Sequence, residues 1–402
     1  VRSDAASAGS SWGCTVTVSL DVDHVRRRME ALLGVPATEG NAVSALRNGI
    51  RIFPAMLDAI GAASHTVDLL SYVYWTGWPA QAFADALSER AEAGVRVRVL
   101  IDAVGGAKMD RALVARMRDA GAQVEFFRVP FKHSPFKYNH RTHRKVLVVD
   151  GAVGFTGGVG IAREWEGDAR GPDEWRDTQV EIRGPAVACL AAAFVQNWSE
   201  ATRHTDDPDD VYPVLPVVGD AVVQIVRGTA TLGWDDIQTA WYGLLSAATE
   251  RLTLQTAYFA PDSAFREILC EAAGRGVSVE VLLPGPYYDK VVSRLESERH
   301  YAELLDAGLR LWRFQPTMLH TKVLTVDERI AMIGSSNLNQ RSLEHDEEVT
   351  AIVYGGGLPQ ELAEHFAEDV ARSVEVLPER WRRRPRLQRL GELAVAPLHR
   401  YL

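Results

Sequence analysis

His143-Arg-Lys145-Val-Leu-Val-Val-Asp150 and His320-Thr-Lys322-Val-Leu-Thr-Val-Asp327 repeat one pattern, H-x-K-x4-D, once in each half of the chain. With eleven histidines and average composition, chance yields on the order of 0.03 such matches, so a pair is a duplication. Each copy reads as the opening of a strand, where residues i and i+2 share a face. The spacing therefore predicts that His and Lys project together while the apolar run enters a sheet.

Outward from the motifs the rest of the chain also repeats. AGVRVRVLID (93–102) matches RGVSVEVLLP (275–284), and DAGAQVEFFR (119–128) matches DAGLRLWRFQ (306–315). Upstream, VDLLSYVYW (67–75) and LTLQTAYFA (252–260) are apolar runs ending in aromatics. Between them, Gln81–Ala93, Arg111–Ala120, Ser263–Gly274 and Val291–Ala307 carry apolar residues at helical spacing. Strands alternating with helices predict an α/β fold of two pseudo-symmetric repeats. Each repeat is a central mixed β-sheet flanked by helices, and the active site lies at the repeat interface. The expected divisions are an N-terminal extension (1–41), repeat 1 (42–204), a Pro- and Asp-rich linker (205–219), repeat 2 (220–376) and a basic tail (377–402).

Composition narrows the function. Over 402 residues, 44 Lys and Arg against 53 Asp and Glu leave a net charge of −9, which disfavours non-specific wrapping of nucleic acid. Cys14, Cys189 and Cys270 stand too far apart for a disulfide framework or a close-spaced zinc pattern, so no metal and no cofactor is expected. The longest apolar run, Ala186–Val195, is too short to span a bilayer. The chain opens on Val1, so a membrane segment ahead of it stays open.

The motif side chains suit phosphoryl chemistry. One imidazole can attack phosphorus and the other can protonate the leaving oxygen, while two lysines face the charge that develops on the phosphate. On these residues the chain resembles the phospholipase D superfamily, and within it the bacterial cardiolipin synthases. The resemblance runs through NHRTHRKVLVVDGAVGFTGGVGIAREW (139–165), WRDTQVEIRGPAV (175–187), AYFAPD (257–262) and LHTKVLTVDERIAMIGSSNLNQRSLEHDEE (319–348). It implies His143 as nucleophile and His320 as general acid and base, with Lys145 and Lys322 on the phosphate. Asp177 and Glu348 then orient the histidines through their second ring nitrogens. It further implies phosphate binding by Gly157, Gly158, Ser335 and Asn337. Gly160 stands where the family has Asn, Asp346 replaces another Asn, and Asn339 replaces an Asp. Asp150 and Asp327, at strand ends, are assigned to turn chemistry and not to catalysis.

The implied reaction joins two phosphatidylglycerols through a covalent phosphatidyl-histidine, with release of glycerol. The alternatives are hydrolysis to phosphatidic acid, or a nuclease or other phosphodiesterase of the same superfamily. A non-catalytic lipid-binding scaffold is the bland reading. The expected partners are phosphatidylglycerol and an anionic membrane surface, not nucleic acid, at the cytoplasmic, inner face of the cell membrane. The stretch Val129–Thr142 is a basic, aromatic insertion with Lys132, His133, Lys137, His140 and Arg141, read as a headgroup-binding or nucleic-acid-binding loop or as solvated chain. Tyr74, Trp75, Tyr258 and Phe259 are read as an apolar wall for acyl chains or as core. The tail from Arg380 places six arginines beside leucines, as a membrane-surface helix does, or as a helix packed on the body does.

Overall fold

The computed structural model describes residues 19–129, 139–205, 213–229 and 235–397. The first half contributes strands β1 (Thr38–Arg47), β2 (Thr66–Ser71), β3 (Arg96–Asp102), β4 (Gln123–Phe127), β5 (Arg141–Thr142), β6 (Val146–Val149), β7 (Val153–Gly157) and β8 (Thr178–Arg183). Its helices are α1 (Val22–Leu33), α2 (Gly49–Gly61), α3 (Trp78–Glu92), α4 (Arg111–Asp119) and α5 (Ala186–Thr202). The second half contributes β9 (Ala221–Arg227), β10 (Arg251–Thr256), β11 (Phe259–Ala260), β12 (Ser278–Pro284), β13 (Arg310–Phe314), β14 (Lys322–Val326) and β15 (Ile330–Gly334). After these come β16 (Leu338–Asn339), β17 (Asp346–Glu347), β18 (Val349–Tyr354) and β19 (Ser373–Glu375). Its helices are α6 (Asp236–Ala247), α7 (Ser263–Gly274), α8 (Val291–Arg299), α9 (Tyr301–Asp306), α10 (Gln340–Glu344), α11 (Leu358–Ala371), α12 (Pro378–Arg382) and α13 (Arg386–Val395).

Local chemistry sets the helix starts. Asp110, Asp262 and Asp235 cap α4, α7 and α6 by accepting backbone N–H groups, and Gln238 closes a capping box on α6. The helical pattern read over Val291–Ala307 divides at His300 into α8 and α9.

The two expected sheets are one. From one edge to the other the order is β19-β13-β12-β10-β14-β15-β18-β9-β1-β8-β7-β6-β2-β3-β4. Each half runs through the same sequence of neighbours, and β1 meets β9 antiparallel at the centre, with a register shift between Thr38 and Asn41. Within each half the outer strands β2-β3-β4 and β10-β12-β13 are parallel and the remainder antiparallel, which makes the sheet mixed. Because β1 begins at Thr38, it straddles the expected boundary between extension and repeat. Helix α1 buries Val25, Met29 and Leu33 in the core of the second half beside Trp241.

Among the described residues, strand alternation builds three large cores and a small fourth cluster of Leu282, Phe314, Leu319 and Phe366. In β6, Leu147 and Val149 face the first half's own helices, whereas Val146 and Val148 face a core shared by both halves. Phe194 of α5 and Val223, Val323, Ile333, Val349 and Leu362 complete that shared core. It holds the ends of β6 and β14 near one another, and both motifs sit there. Among the described residues no helix is long and apolar enough to cross a membrane.

Candidate active site

The motif aspartates fix the far ends of the motif strands. Asp150 and Asp327 both take φ 52°, a left-handed turn conformation. The Asp150 carboxylate accepts N–H groups of Ser64, His65 and Thr66, and that of Asp327 accepts those of Thr249, Glu250 and Arg251. Each aspartate thereby ties its turn to the start of β2 or β10, away from the chemistry.

The histidines do not lie in the strands, as the spacing predicts, but in extended chain just ahead of them. Strand β6 begins only at Val146 and β14 at Lys322. The reason is that both histidine backbones are held by the opposite half: His143 N donates to Glu347 O at 2.9 Å and His320 N donates to Arg176 O at 2.7 Å. These bonds continue the parallel pair β5 with β17 and the bridge between Leu319 and Arg176.

The acids cross over in the same way. His143 Nδ1 lies 2.9 and 3.1 Å from the Glu348 carboxylate oxygens, and His320 Nδ1 lies 2.7 Å from Asp177 Oδ2. Each half's acid therefore orients the other half's histidine, a pairing that chain order alone does not reveal. Lys145 Nζ donates to His143 O at 2.8 Å; Lys322 Nζ donates to His320 O and stands 2.9 Å from His320 Nδ1. All six side chains are buried.

The residues expected to bind phosphate divide. A Cβ on Gly158 would lie 2.2 Å from Asp177 Oδ1, and one on Gly157 would lie 2.5 Å from Thr178 O. Neither glycine lines the cavity; both make room for β8 and its acid. Ser335, at the matching position of the second half, donates its hydroxyl to Glu348 and accepts Val349 N–H at 3.1 Å, so it supports the acid and does not face substrate. Asn337 does line the cavity, and its buried Oδ1 has no hydrogen-bond partner. A Cβ on Gly160 would lie 2.7 Å from Val73 Cβ, so the position is packed against β2's continuation.

Between the histidines opens a cavity of about 270 Å³ lined by both, by Lys145, and by aromatic residues of both halves. Tyr72 meets His143 edge-on at 5.0 Å, while Trp165 and Trp175 lie 5.2 and 5.4 Å from His320. The indole of Trp165 also donates to Asp177 Oδ2 at 2.9 Å. These three aromatics and Arg341 were not singled out in the sequence reading, where the only signal for the aromatics is their closeness to a motif, and Asp346, noted there only as a departure from the family's Asn, also lines the cavity. Of the four residues read as wall or core, Trp75 and Tyr258 line the cavity whereas Tyr74 and Phe259 are core. In the basic insertion, residues 130–138 lie outside the described residues, and with them Lys132, His133 and Lys137. Arg141 is buried and bound to Asp102, so it faces no ligand. His140 Nδ1 lies 3.2 Å from His345 O.

Residues 56–167 and 242–370 match the family described as "Cardiolipin synthase, PLD-like domain". The chain belongs to this family. Cardiolipin synthase A of Pseudomonas aeruginosa is 35% identical over 357 residues, covering 89% of this chain and 72% of that protein. Cardiolipin synthase 2 of Bacillus anthracis is 32% identical over 350 residues, covering 86% and 68%. In fold, the chain resembles the phosphatidylserine synthase of Haemophilus influenzae, with a TM-score of 0.71 at 16% identity, covering 94% of this chain and all of that one. As a cardiolipin synthase-like member of the phospholipase D superfamily, the chain is an enzyme of the phosphatidyltransferase and phosphodiesterase class.

Electrostatics in this cardiolipin synthase-family site are set by burial. It pulls His143 well below its ordinary value, with Lys145 and Lys322 adding to the effect, and brings His320 down to about 4 against the pull of Asp177. Burial also lowers Lys145 to about 8 and Lys322 to about 7. It raises Glu348, whereas Asp177 is held below its usual range despite burial, because His320 and Lys322 stand against it. An anionic phosphodiester favours the protonated forms of His320 and both lysines, while the lowered value of His143 keeps its Nε2 lone pair for attack. With Nδ1 directed at a carboxylate, each imidazole has Nε2 for proton transfer or attack. Among the described residues no group of three or more His, Cys, Asp and Glu side chains is placed to hold a metal ion.

Proposed function

We propose that the chain transfers a phosphatidyl group from one phosphatidylglycerol to another, making cardiolipin and glycerol. The observation that carries this reading is the crossed pair of carboxylate-oriented histidines facing one cavity, which Lys145 also lines, with Lys322 beside His320. His143 Nε2 attacks phosphorus, forming an N–P bond as the P–O bond to the headgroup glycerol breaks. His320 Nε2 gives its proton to that leaving oxygen. In the second step His320 takes the proton of an acceptor phosphatidylglycerol hydroxyl, whose oxygen forms the new P–O bond as the N–P bond breaks and its electron pair returns to His143. Lys145 and Lys322 hold the equatorial oxygens, and Glu348 and Asp177 carry the imidazolium charge through Nδ1.

The proposed workplace is an anionic membrane surface, on the inner, cytoplasmic face. Support comes from the tail: α13 packs its Glu392 and Val395 inward while Leu387, Leu390 and Leu393 stand outward, 80%, 62% and 67% exposed, among arginines. The test is to incubate the purified protein with phosphatidylglycerol vesicles and resolve the lipid products by mass spectrometry, with His143→Ala as control. Cardiolipin with glycerol, lost in the variant, is the expected result. Phosphatidic acid alone makes the protein a hydrolase, and no turnover of lipid overturns the reading.

A further inference from the structure

Two lysines outside the motifs stand at matching positions of the two halves. Lys108 is the sixth residue after β3 and Lys290 the sixth after β12, the strands that the repeat pairs with one another. Both line the cavity. Each holds its ammonium over an aromatic ring at the mouth: Lys108 Nζ is 4.1 Å from the centre of the Trp75 ring, and Lys290 Nζ is 5.0 Å from that of Tyr258. Both rings lie on the His320 side of the cavity, and the Lys290 charge is also felt at His143. The Tyr258 ring lies 6.3 Å from the His320 ring, and Trp75 reaches His320 through Trp165, at 6.4 and 5.2 Å. His143 instead has Tyr72 beside it.

We propose that Lys108 and Lys290 form a second phosphodiester site, which holds the phosphate of the acceptor lipid while its glycerol hydroxyl reaches His320. This inference rests on the phosphatidyl-transfer reading above. An acceptor that is itself a phosphodiester brings a second negative charge into a cavity whose buried lysines already face the first, and like charges at short range need separate counter-charges. Asp289, which accepts the Tyr258 hydroxyl at 2.5 Å, supplies a carboxylate for the middle hydroxyl of the same glycerol. Water carries no phosphate and gains nothing from these lysines, so the site favours transfer over hydrolysis.

The test is a competition. The enzyme is given phosphatidylglycerol vesicles as donor, with soluble dihexanoyl-phosphatidylglycerol and deuterated glycerol as rival acceptors, and the mixed cardiolipin and labelled phosphatidylglycerol are counted by mass spectrometry. The wild type is expected to prefer the phosphodiester acceptor, and Lys108→Gln with Lys290→Gln to lose about tenfold of that preference, the worth of a charge-assisted contact. Each single variant shifts the ratio in the same direction, and Lys→Arg at both positions restores it. Since both products form on the same enzyme molecules, partial unfolding lowers them together and leaves the ratio unmoved. A wild type that makes cardiolipin, with an unchanged preference in the variants, overturns the lysine site alone. A wild type that makes only phosphatidic acid overturns the transfer reading and the site with it.

Discussion

At the residue scale the chemistry turns on two imidazoles whose tautomers are set by carboxylates from across the molecule. Replacing Glu348 by Gln or Asp177 by Asn keeps a hydrogen-bonding side chain but removes the charge that stabilises imidazolium. Each is expected to lower turnover of phosphatidylglycerol vesicles by about 10²–10⁴-fold, read as initial rates of lipid product. A second expectation concerns protons. Burial lowers Lys322 and Lys145 to about 7 and about 8, and an anion raises both, so binding between pH 7 and 9 takes up protons. Titration calorimetry with inorganic phosphate should show tighter binding as pH falls from 9 to 7, with proton uptake revealed by buffers of different ionisation heat. Lys322→Met should flatten that dependence. The two histidines and two lysines stood out as candidates because duplication lifts a short pattern far above chance, whereas Asp177 and Glu348 were named only through the family resemblance. The crossing of the acids was not legible, since it is a property of how two halves face each other. Ser335 and the glycines were misread for a related reason: a small residue beside a site fits a close ligand or a close carboxylate equally well, and only the neighbouring strand decides.

Among the elements, the chain just ahead of β8 is joined to α11 by a buried ion pair, with Arg176 Nε 2.9 Å from Asp369 Oδ2 and both side chains without exposure. Arg176→Ala leaves Asp369 paired with Arg47, 2.7 Å from its Oδ1, but removes a buried guanidinium that also donates to Thr178 Oγ1, and is expected to destabilise the protein by about 1–3 kcal/mol, measured by denaturant unfolding. The tail offers the opposite case. Trp381 is buried against Tyr301 at 5.0 Å and anchors α12, while α13 keeps three leucines outward. Changing Leu387, Leu390 and Leu393 to Ser should reduce the fraction of protein that floats with anionic vesicles by several-fold, at about 0.8 kcal/mol per buried methylene lost. Both sequence readings of this segment contain part of its structure, because a helix of this length has room for a packed face and an apolar outer one. The helices and strands themselves were legible almost to the residue where apolar periodicity met a capping Asp, as at α4 and α7. Periodicity said nothing of the break at His300, because α8 and α9 continue one apolar pattern across it.

The whole molecule carries one continuous sheet, although its sequence divides into two repeats. The joining of β1 to β9 makes the sheet continuous, and the third core draws residues from both halves, Phe194 and Val349 among them. Phe194→Ala is therefore expected to cost about 3–5 kcal/mol and to shift a single unfolding transition rather than split it. Scanning calorimetry checks this by comparing the calorimetric with the van't Hoff enthalpy. Reading each repeat as owning its sheet was natural from the linker, and what it missed is that the first strand of each half has an edge that only the other half can satisfy.

The exchange of acids has the contact pattern of an isologous interface, in which residue i of one unit meets j of the other and j meets i. Such a pattern is what a symmetric pair of identical chains makes, and here a covalent link has freed the two copies to diverge. They have done so in step: where one half has a glycine behind a short acid, Gly158 with Asp177, the other has a hydroxyl behind a longer one, Ser335 with Glu348. Each histidine's environment is thus inherited from the opposite copy, so a change in either half is felt first by its sibling's chemistry.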